Sequence, residues 1–128
     1  HVFVFNKHGD LFLQKRSLLK DSSPGLWDSS ASGHLDVGED YHDAAVRELD
    51  EELGVSRQVK FICRIKPSEK TGWEFVCLYQ SEDEGPFNFP YSEIEGGQFF
   101  TSEVIENWIN RRPEDFASGF IECWNSYR

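Results

Sequence analysis

The stretch with the densest chemical functionality is RELDEELGV, Arg47–Val55, which places four carboxylates within five consecutive residues. Like charges at helical spacing repel one another, so a helix gains no stability from such crowding. Positions i, i+3 and i+4 share a helix face, so Glu48, Glu51 and Glu52 project together while Asp50 points elsewhere. Three carboxylates on one face form an oxygen cage of the kind that Mg²⁺ or Mn²⁺ prefers. Taken alone, the run favours a solvated acidic surface, because surface helices often carry runs of glutamate.

The carboxylates come together only if the run is helical, and the surrounding sequence predicts a helix from about residue 40. Ala45, Leu49 and Leu53 recur at i, i+4 and i+8, which gives the helix an apolar stripe that faces the core. Gly54 follows directly, where the residue after a helix commonly adopts the left-handed conformation. The core contacts of this stripe are expected to hold the acidic helix in place.

Strands and further helices flank this helix. Apolar alternation predicts strands over residues 1–6, 11–16, 59–66, 73–80 and 97–101, with a short extended piece near Asp28–Ser32. Ser102 is expected to cap a second helix and Pro113 to open a third, which carries Phe116, Phe120, Ile121 and Trp124. Strands separated by helices, with hairpins among them, indicate an α/β fold in which helices cover both faces of a mixed sheet. Residues 1–128 are predicted to form one domain, and the opening alternation HVFVFN is compatible with a start further upstream.

Composition and charge limit the classes of function. The chain has 128 residues, of which 38% are hydrophobic and 15% aromatic, enough for one core. A net charge of -10 argues against nucleic acid as a partner, because phosphate contacts need Lys and Arg. No apolar run approaches the roughly 18 residues of a membrane span, so no membrane partner is expected. The scattered Cys63, Cys77 and Cys123 predict reduced, mostly buried thiols and a cytoplasmic location, and a homodimer stays open.

The longer stretch GHLDVGEDYHDAAVRELDEELGV, Gly33–Val55, resembles the signature of the Nudix hydrolase family. That signature is a Gly, five residues, a Glu, seven residues, Arg-Glu, an aliphatic residue, any residue, Glu-Glu, any residue, a Gly and an aliphatic residue. All nine specified positions over these 23 residues are filled, by Gly33, Glu39, Arg47, Glu48, Leu49, Glu51, Glu52, Gly54 and Val55. The strands and helices around the signature suit the same fold, so the resemblance implies a Nudix-type α/β/α sandwich with a mixed β-sheet.

The resemblance also implies an activity. Members of the family hydrolyse the diphosphate linkage of a nucleoside diphosphate derivative or a related organic diphosphate, using a water activated by Mg²⁺ or Mn²⁺. Carried over to matching positions, Glu48 and Glu52 would be the main metal ligands, and Glu51 a further ligand or a base that positions water. The backbone carbonyl of Gly33 would be another ligand. A bound cation would let an acidic protein accept a small anionic diphosphate as its substrate.

Other residues of the implied site lie around these ligands. Arg47 would hold the glutamates in place by ion pairing, and Glu39 would brace the preceding loop onto the helix. Many relatives use one more carboxylate from the loop before the last strand, where Glu93 lies with Glu95 as the near alternative. Either residue would bind metal or act as the base, unless it is an ordinary solvated glutamate.

Substrate choice depends on residues outside the signature. The segment LFLQKRS followed by KDSSPGLWDSSASGH resembles the branch of Nudix proteins related to isopentenyl-diphosphate isomerase. In that setting Arg16 and Lys20 would contact phosphate, although ordinary surface charge explains them equally well. Trp27 is expected to pack in the core beneath the loop. Trp73 and Phe75 alternate with Glu74, which fits either a pocket lining or, more commonly, the half-buried face of a sheet.

Two other functions compete with hydrolysis. An isopentenyl-diphosphate isomerase needs a Cys in the segment after the loop Trp to move protons on the alkene. That segment is WDSSASGH here, with Ser29, Ser30 and Ser32 and without a Cys, which favours the hydrolase. A non-catalytic nucleotide-binding module with the Nudix fold would typically lack one or more metal-binding glutamates, and none is missing here.

Overall fold

Apolar residues alternate along the strands and divide the interior into two cores, one on each face of a mixed sheet. The computed structural model describes residues 1–128. The strands are β1 (Val2–Phe5), β2 (Leu11–Arg16), β3 (Trp27–Asp28), β4 (Lys60–Ile65), β5 (Val76–Glu82) and β6 (Ile94–Phe100). The helices are α1 (Tyr41–Leu53), α2 (Ser102–Arg111) and α3 (Ser118–Tyr127), with short 3₁₀ turns at Glu69–Thr71 and Pro113–Asp115.

The sheet is mixed because β1 lies parallel to β5, whereas every other pairing is antiparallel. The strand order is β3-β2-β1-β5-β4, and β6 also pairs with β2. The second strand therefore contacts three others, and residues near its end lie close to both β3 and the start of β6. This position of β2 brings residues distant in sequence to one end of the sheet.

The two cores confirm the predicted sandwich. On one face, Val2 and Val4 pack with Leu49 and Leu53 of α1. On the other face, Phe3 packs in the core that α2 and α3 cover. Adjacent residues of a strand point to opposite faces, so the alternation in HVFVFN supplies both cores from one strand.

The acidic helix α1 has the start and end that its sequence predicts. The Asp40 carboxylate accepts a hydrogen bond of 2.8 Å from the Asp43 N–H and so caps the first turn. Gly54 adopts φ 72°, and its N–H donates to the Asp50 carbonyl at 2.9 Å. Leu49 and Leu53 are fully buried, and each contributes about 1.5–3 kcal/mol relative to an exposed side chain. This apolar anchorage offsets the repulsion among the glutamates.

Several predicted boundaries were wrong. The strand expected from Trp73 begins at Val76, because Gly72 and Trp73 both adopt left-handed backbone conformations that end the extended run. The last strand begins at Ile94 instead of residue 97. Thr101, not Ser102, caps α2, and its hydroxyl accepts from the Val104 N–H at 3.2 Å.

The predictions for the third helix, for Trp27 and for the three cysteines were confirmed in part. Pro113 opens a separate 3₁₀ turn, and α3 begins only at Ser118. Trp27 packs against the second core, as expected. None of the three cysteines is in a disulfide; Cys77 and Cys123 are buried and Cys63 is half-buried. None of the helices is long and apolar enough to span a membrane.

Candidate active site

A polar cleft of about 510 Å³ collects the predicted site residues at one end of the sheet. It is lined without any hydrophobic side chain, and its walls include Gln14, Arg16, Lys20, Gly33, Glu48, Glu51, Glu52 and Glu93. These come from β2, the loops after β2 and β3, helix α1 and the residue before β6. Arg47, Glu39 and Glu95 are predicted site residues that do not line this cleft. Arg47 contacts the glutamates of α1 from outside it.

Glu52 lies deepest in this cleft and is held by two donors. The Gln14 side-chain amide donates to one carboxylate oxygen at 2.7 Å, and the Ser32 N–H donates to the other at 3.0 Å. Burial and, after it, the neighbouring Glu48 carboxylate raise the pKa of Glu52 to about 9. In the absence of a cation, Glu52 is therefore protonated at neutral pH.

Gln14 is a site residue that sequence reasoning missed. Its side chain is almost fully buried, at 1% exposure, on the same strand as the apolar Leu11, Phe12 and Leu13. Its amide also donates to the Ser30 carbonyl at 3.2 Å. The sequence does carry a signal for Gln14: it is a polar residue that directly follows an apolar run in a strand.

Gly33 leaves room for the Glu48 carboxylate. A Cβ at position 33 would overlap the carboxylate atoms of Glu48, so any other residue here would displace that side chain. Arg47 holds the same carboxylate with a hydrogen bond of 2.7 Å to its Oε1. The close approach of the Glu48 carboxylate therefore explains why the signature has a glycine at this position. The φ of Gly33 is not in the left-handed region, so its backbone conformation does not require a glycine.

Arg47 ties the acidic helix to the preceding loop. Its guanidinium donates to both oxygens of Glu39 at 2.8 and 2.9 Å, to the Glu51 carboxylate at 3.1 Å and to the His34 carbonyl at 2.9 Å. The hydrogen bonds to Glu39 raise the pKa of Arg47, and the reciprocal bonds lower the pKa of Glu39. The guanidinium is a fixed positive charge behind the glutamates, so it orients them without occupying the cleft.

The basic side of the cleft is formed by Arg16 and Lys20. Lys20 forms a close ion pair with Glu93 across the cleft. Arg16 donates to the buried Asp28 carboxylate at 3.3 Å and to the Ser22 carbonyl at 3.0 Å. Glu95, the alternative to Glu93, is exposed, pairs with Lys15 at 3.9 Å and does not line the cleft.

Another cluster of possible ligands lies outside the cleft. Asp40, His42 and Asp43 bring carboxylate and imidazole atoms within 4.8 Å of one another. All three residues are exposed, and Asp40 is committed to capping α1. Glu48 and Glu52 of the cleft are half-buried and offer better shielded oxygen ligands.

The cleft continues into a larger arm of about 910 Å³. The arm shares six residues with the polar part: Arg16, Lys20, Ser32, Gly33, His34 and Glu48. Its remaining walls include Leu35, Tyr41, Trp73, Phe75 and Cys77. Cys77 therefore borders the cleft, and burial raises the pKa of its thiol.

A family profile and several known proteins match most of this chain. A family profile described as NUDIX domain matches residues 1–118. An isopentenyl-diphosphate Delta-isomerase 2 of Photorhabdus laumondii is 48% identical over 131 residues, covering 97% of this chain and 73% of that protein. An uncharacterized Nudix hydrolase of Pseudomonas aeruginosa, PA4841, is 33% identical over 104 residues, covering 80% of this chain.

The fold is shared with a solved structure as well. The crystal structure of DR0079 from Deinococcus radiodurans superposes with a TM-score of 0.89 at 28% identity, covering 100% of this chain and 81% of that one. The chain spans 62% of the length of the Pseudomonas protein.

Proposed function

The chain belongs to the Nudix family, and from that premise we propose that it hydrolyses a diphosphate linkage with the help of Mg²⁺ or Mn²⁺. The substrate is a nucleoside diphosphate derivative or a related organic diphosphate. The observation that carries the proposal is the half-buried Glu52 beside Glu48, whose pKa is raised by burial and by that neighbour. Burying two neighbouring carboxylates in their charged form costs free energy, and a bound cation in place of the proton offsets that cost.

The residues present fit a hard divalent cation. Glu48, Glu51 and Glu52 line one polar cleft together with Gly33, and oxygen donors of this type suit Mg²⁺ and Mn²⁺. In this proposal the carboxylates of Glu48 and Glu52 and the Gly33 carbonyl hold the ion, and Glu51 is either a further ligand or the base. When bound, the ion would neutralise diphosphate charge and lower the pKa of a water molecule.

Arg47 and Gln14 keep the ligands in position. Arg47 contacts Glu48 and Glu51, and Gln14 fixes one oxygen of Glu52 at 2.7 Å, leaving the remaining carboxylate lone pairs for the ion. Oriented ligands lose little conformational freedom on binding, which strengthens metal sites. Neither residue needs to contact the substrate for this role.

Arg16 and Lys20 would receive the phosphate groups. Both line the polar part and the larger arm of the cleft, so a diphosphate at the glutamates would lie next to both cations. Asp28 and Ser22 hold the Arg16 guanidinium, whereas Lys20 is paired with Glu93. A bound phosphate would compete with Glu93 for Lys20 and release that carboxylate.

The reaction then needs a base for the attacking water. The water oxygen bonds to one phosphorus, the bridging P–O bond breaks, and the two halves leave as phosphate compounds. Glu93, once released from Lys20, and Glu51, exposed at the mouth, are the two carboxylates available to take the proton. Comparison of Glu93→Gln with Glu51→Gln identifies the base, because its loss lowers kcat while KM for the diphosphate stays similar.

The proposal is tested by monophosphate release from a panel of diphosphates, with and without Mg²⁺. We expect metal-dependent turnover that falls by about 100-fold or more in Glu52→Gln, since the cation supplies several kcal/mol of stabilisation. Asp50→Asn is the matched control: it removes one charge from the same helix at an exposed position outside the cleft. Nucleotide binding without turnover in the wild-type protein would instead indicate a non-catalytic binding module.

Isomerisation of isopentenyl diphosphate is a second candidate, favoured by the 48% identity to the Photorhabdus isomerase. Residues 27–34 lack a cysteine, so the only thiol at the cleft is Cys77. Its raised pKa keeps it protonated, as an acid for an alkene requires. Formation of dimethylallyl diphosphate that is lost in Cys77→Ser would establish the isomerase, and its absence together with phosphate release would exclude it.

A further inference from the structure

Asp28 has a carboxyl group that the fold keeps almost entirely out of water. Its exposure is 4%, and it lies on β3 opposite Gln14 of β2, at the wall of the larger arm. One carboxylate oxygen accepts a hydrogen bond of 2.7 Å from the Ser29 N–H, and the other accepts from Arg16 at 3.3 Å. Burial raises the pKa of Asp28, and the hydrogen bond from Ser29 and the charge of Arg16 oppose that rise. The chain thus buries an ionisable group at a cost in free energy.

The stability of the fold does not explain this carboxylate. Buried ion pairs can often be replaced by apolar residues without loss of stability. The pairing of β3 with β2 uses backbone groups, so the ladder does not need the Asp28 side chain. Arg16 is the cationic hydrogen-bond partner of Asp28, since the His1 imidazole lies 4.0 Å away. The effect of Asp28 on Arg16 is therefore the better explanation.

Arg16 keeps part of its hydrogen-bonding capacity for a ligand. Its Nε–H donates to the Ser22 carbonyl at 3.0 Å, Nη2 donates to the Ser22 hydroxyl at 3.1 Å, and Nη1 donates to Asp28. These contacts use three of the five N–H donors of a guanidinium. Two donors remain, one on each terminal nitrogen, and a bidentate contact with phosphate needs two.

The two partners of the guanidinium differ in how firmly they are placed. Ser22 is exposed in the loop between β2 and β3, whereas Asp28 is buried in the sheet. The loop returns to the strand at Arg16, whose N–H donates to the Leu26 carbonyl at 2.8 Å and whose carbonyl accepts from the Gly25 N–H at 3.0 Å. The backbone of Arg16 is thus fixed by the loop, and Asp28 supplies the firm contact for its side chain.

The glutamates of the cleft would otherwise compete for this side chain. Arg16 lines the same polar cleft as Glu48 and Glu52, and opposite charges attract strongly in a partly buried site. A guanidinium that paired with either glutamate would occupy a proposed metal ligand and would turn away from the phosphate. The contact with Asp28 leaves the glutamates free for the ion.

We propose that Asp28 is a positioning residue, whose carboxylate fixes the Arg16 guanidinium so that its two remaining N–H groups receive a phosphate of the substrate. This inference rests on the proposed function, because a diphosphate must lie at the glutamates for its phosphate to reach Arg16. Asp28 acts through Arg16 and does not contact the substrate itself.

The test is a double-mutant cycle on the binding of methylenediphosphonate, a diphosphate analogue that resists hydrolysis, in the presence of Mg²⁺. Calorimetric titration should show an affinity about tenfold lower in Asp28→Asn and lower by at least about tenfold in Arg16→Gln. When both changes are combined, Asp28→Asn should lower the affinity further by less than about twofold, because the guanidinium is already lost.

Ser29→Ala is the matched control. It removes a buried hydroxyl from the adjacent residue, which contacts His1 and lies outside both parts of the cleft. Its affinity for methylenediphosphonate should stay within about twofold of wild type. Thermal unfolding checks that each variant is folded, and Asp28→Ser, with a smaller side chain, replaces Asp28→Asn if that variant is not.

Turnover gives a second readout. On a diphosphate that the wild-type protein hydrolyses, Asp28→Asn should raise KM by about tenfold and change kcat by less than about threefold. If a diphosphate is hydrolysed but the analogue does not bind measurably, the same cycle is measured on KM.

Three results would overturn the inference and leave the hydrolase intact: wild-type affinity in Asp28→Asn, wild-type affinity in Arg16→Gln, or the same loss from Asp28→Asn with and without Arg16→Gln. A protein that neither binds methylenediphosphonate nor hydrolyses any diphosphate would refute the proposed function, and the inference with it.

Discussion

Glu52 is a proposed metal ligand, and its carboxyl group also affects the stability of the metal-free protein. Burial and the Glu48 carboxylate raise its pKa to about 9, well above the 4.5 of an ordinary glutamate side chain. The folded protein therefore binds a proton more tightly at this group than the unfolded chain does. The associated stability is complete below the unfolded pKa, near 4.5, and declines as the pH rises towards 9.

Glu52→Gln should remove this pH dependence. In EDTA, the free energy of unfolding of the wild-type protein should fall between pH 6 and 8.5 by up to about 3 kcal/mol more than that of the variant. Asp50→Asn should keep the wild-type slope, because Asp50 is exposed and outside the cleft. Urea denaturation at the two pH values measures the difference, and parallel slopes for wild type and Glu52→Gln would contradict the shifted pKa.

Gly33 offers a second test at the residue scale. Gly33→Ala places a methyl group against the Glu48 carboxylate, so Mn²⁺ affinity should fall by about tenfold or more, as when metal ligands lose their orientation. Gly96→Ala is the matched control, since Gly96 has open space around its Cα and no positive φ. Calorimetric titration with Mn²⁺ measures both. An unchanged affinity in Gly33→Ala would contradict the proposal that Glu48, in the position it has beside Gly33, is a metal ligand.

At the scale of elements, sequence patterns predicted secondary structure best where the local conformational preferences of the residues agree with their burial in the core. Helix α1 has its expected apolar stripe and its expected Gly54, because the same residues that favour the helix also bury it. The strand predicted over residues 73–80 was displaced, because Trp73 and Phe75 have strand propensity but follow a left-handed turn at Gly72. Gln14 and Asp28 were missed for a different reason: their partners are remote in sequence. The packing of α1 against β2 reveals the contact of Gln14 with Glu52, and the pairing of β2 with β3 reveals that of Asp28 with Arg16.

The loop between β4 and β5 gives a prediction about stored strain. Trp73→Gly should stabilise the fold by about 0.5–1 kcal/mol, because glycine accepts φ 63° freely and little packing is lost. Glu74→Gly, at the adjacent residue without a positive φ, should be neutral or destabilising. Thermal unfolding in the absence of ligand compares the two. Destabilisation in Trp73→Gly would mean that the packing of the indole outweighs the backbone strain.

At the scale of the whole molecule, the sheet explains how an acidic chain assembles a site for an anion. The net charge is -10, yet β2 ends at Arg16, and Lys20 follows in the next loop, so two cations meet the glutamates of α1 across one cleft. The core on one face of the sheet packs Leu49 and Leu53 of α1 with Phe12 of β2 and so fixes the helix relative to that strand. The signature predicted the glutamates, whereas the larger arm of the cleft depends on a loop whose conformation no local pattern specified.

The most direct test of hydrolysis is to react ADP-ribose with the protein and Mg²⁺ in H₂¹⁸O and to analyse the products by mass spectrometry. Attack of water on phosphorus predicts one ¹⁸O atom in either AMP or ribose 5-phosphate, with the yield lost in EDTA and in Glu52→Gln but kept in Asp50→Asn. Phosphate products without the label, or a labelled yield that is the same with EDTA, would contradict a divalent-cation hydrolase at this cleft.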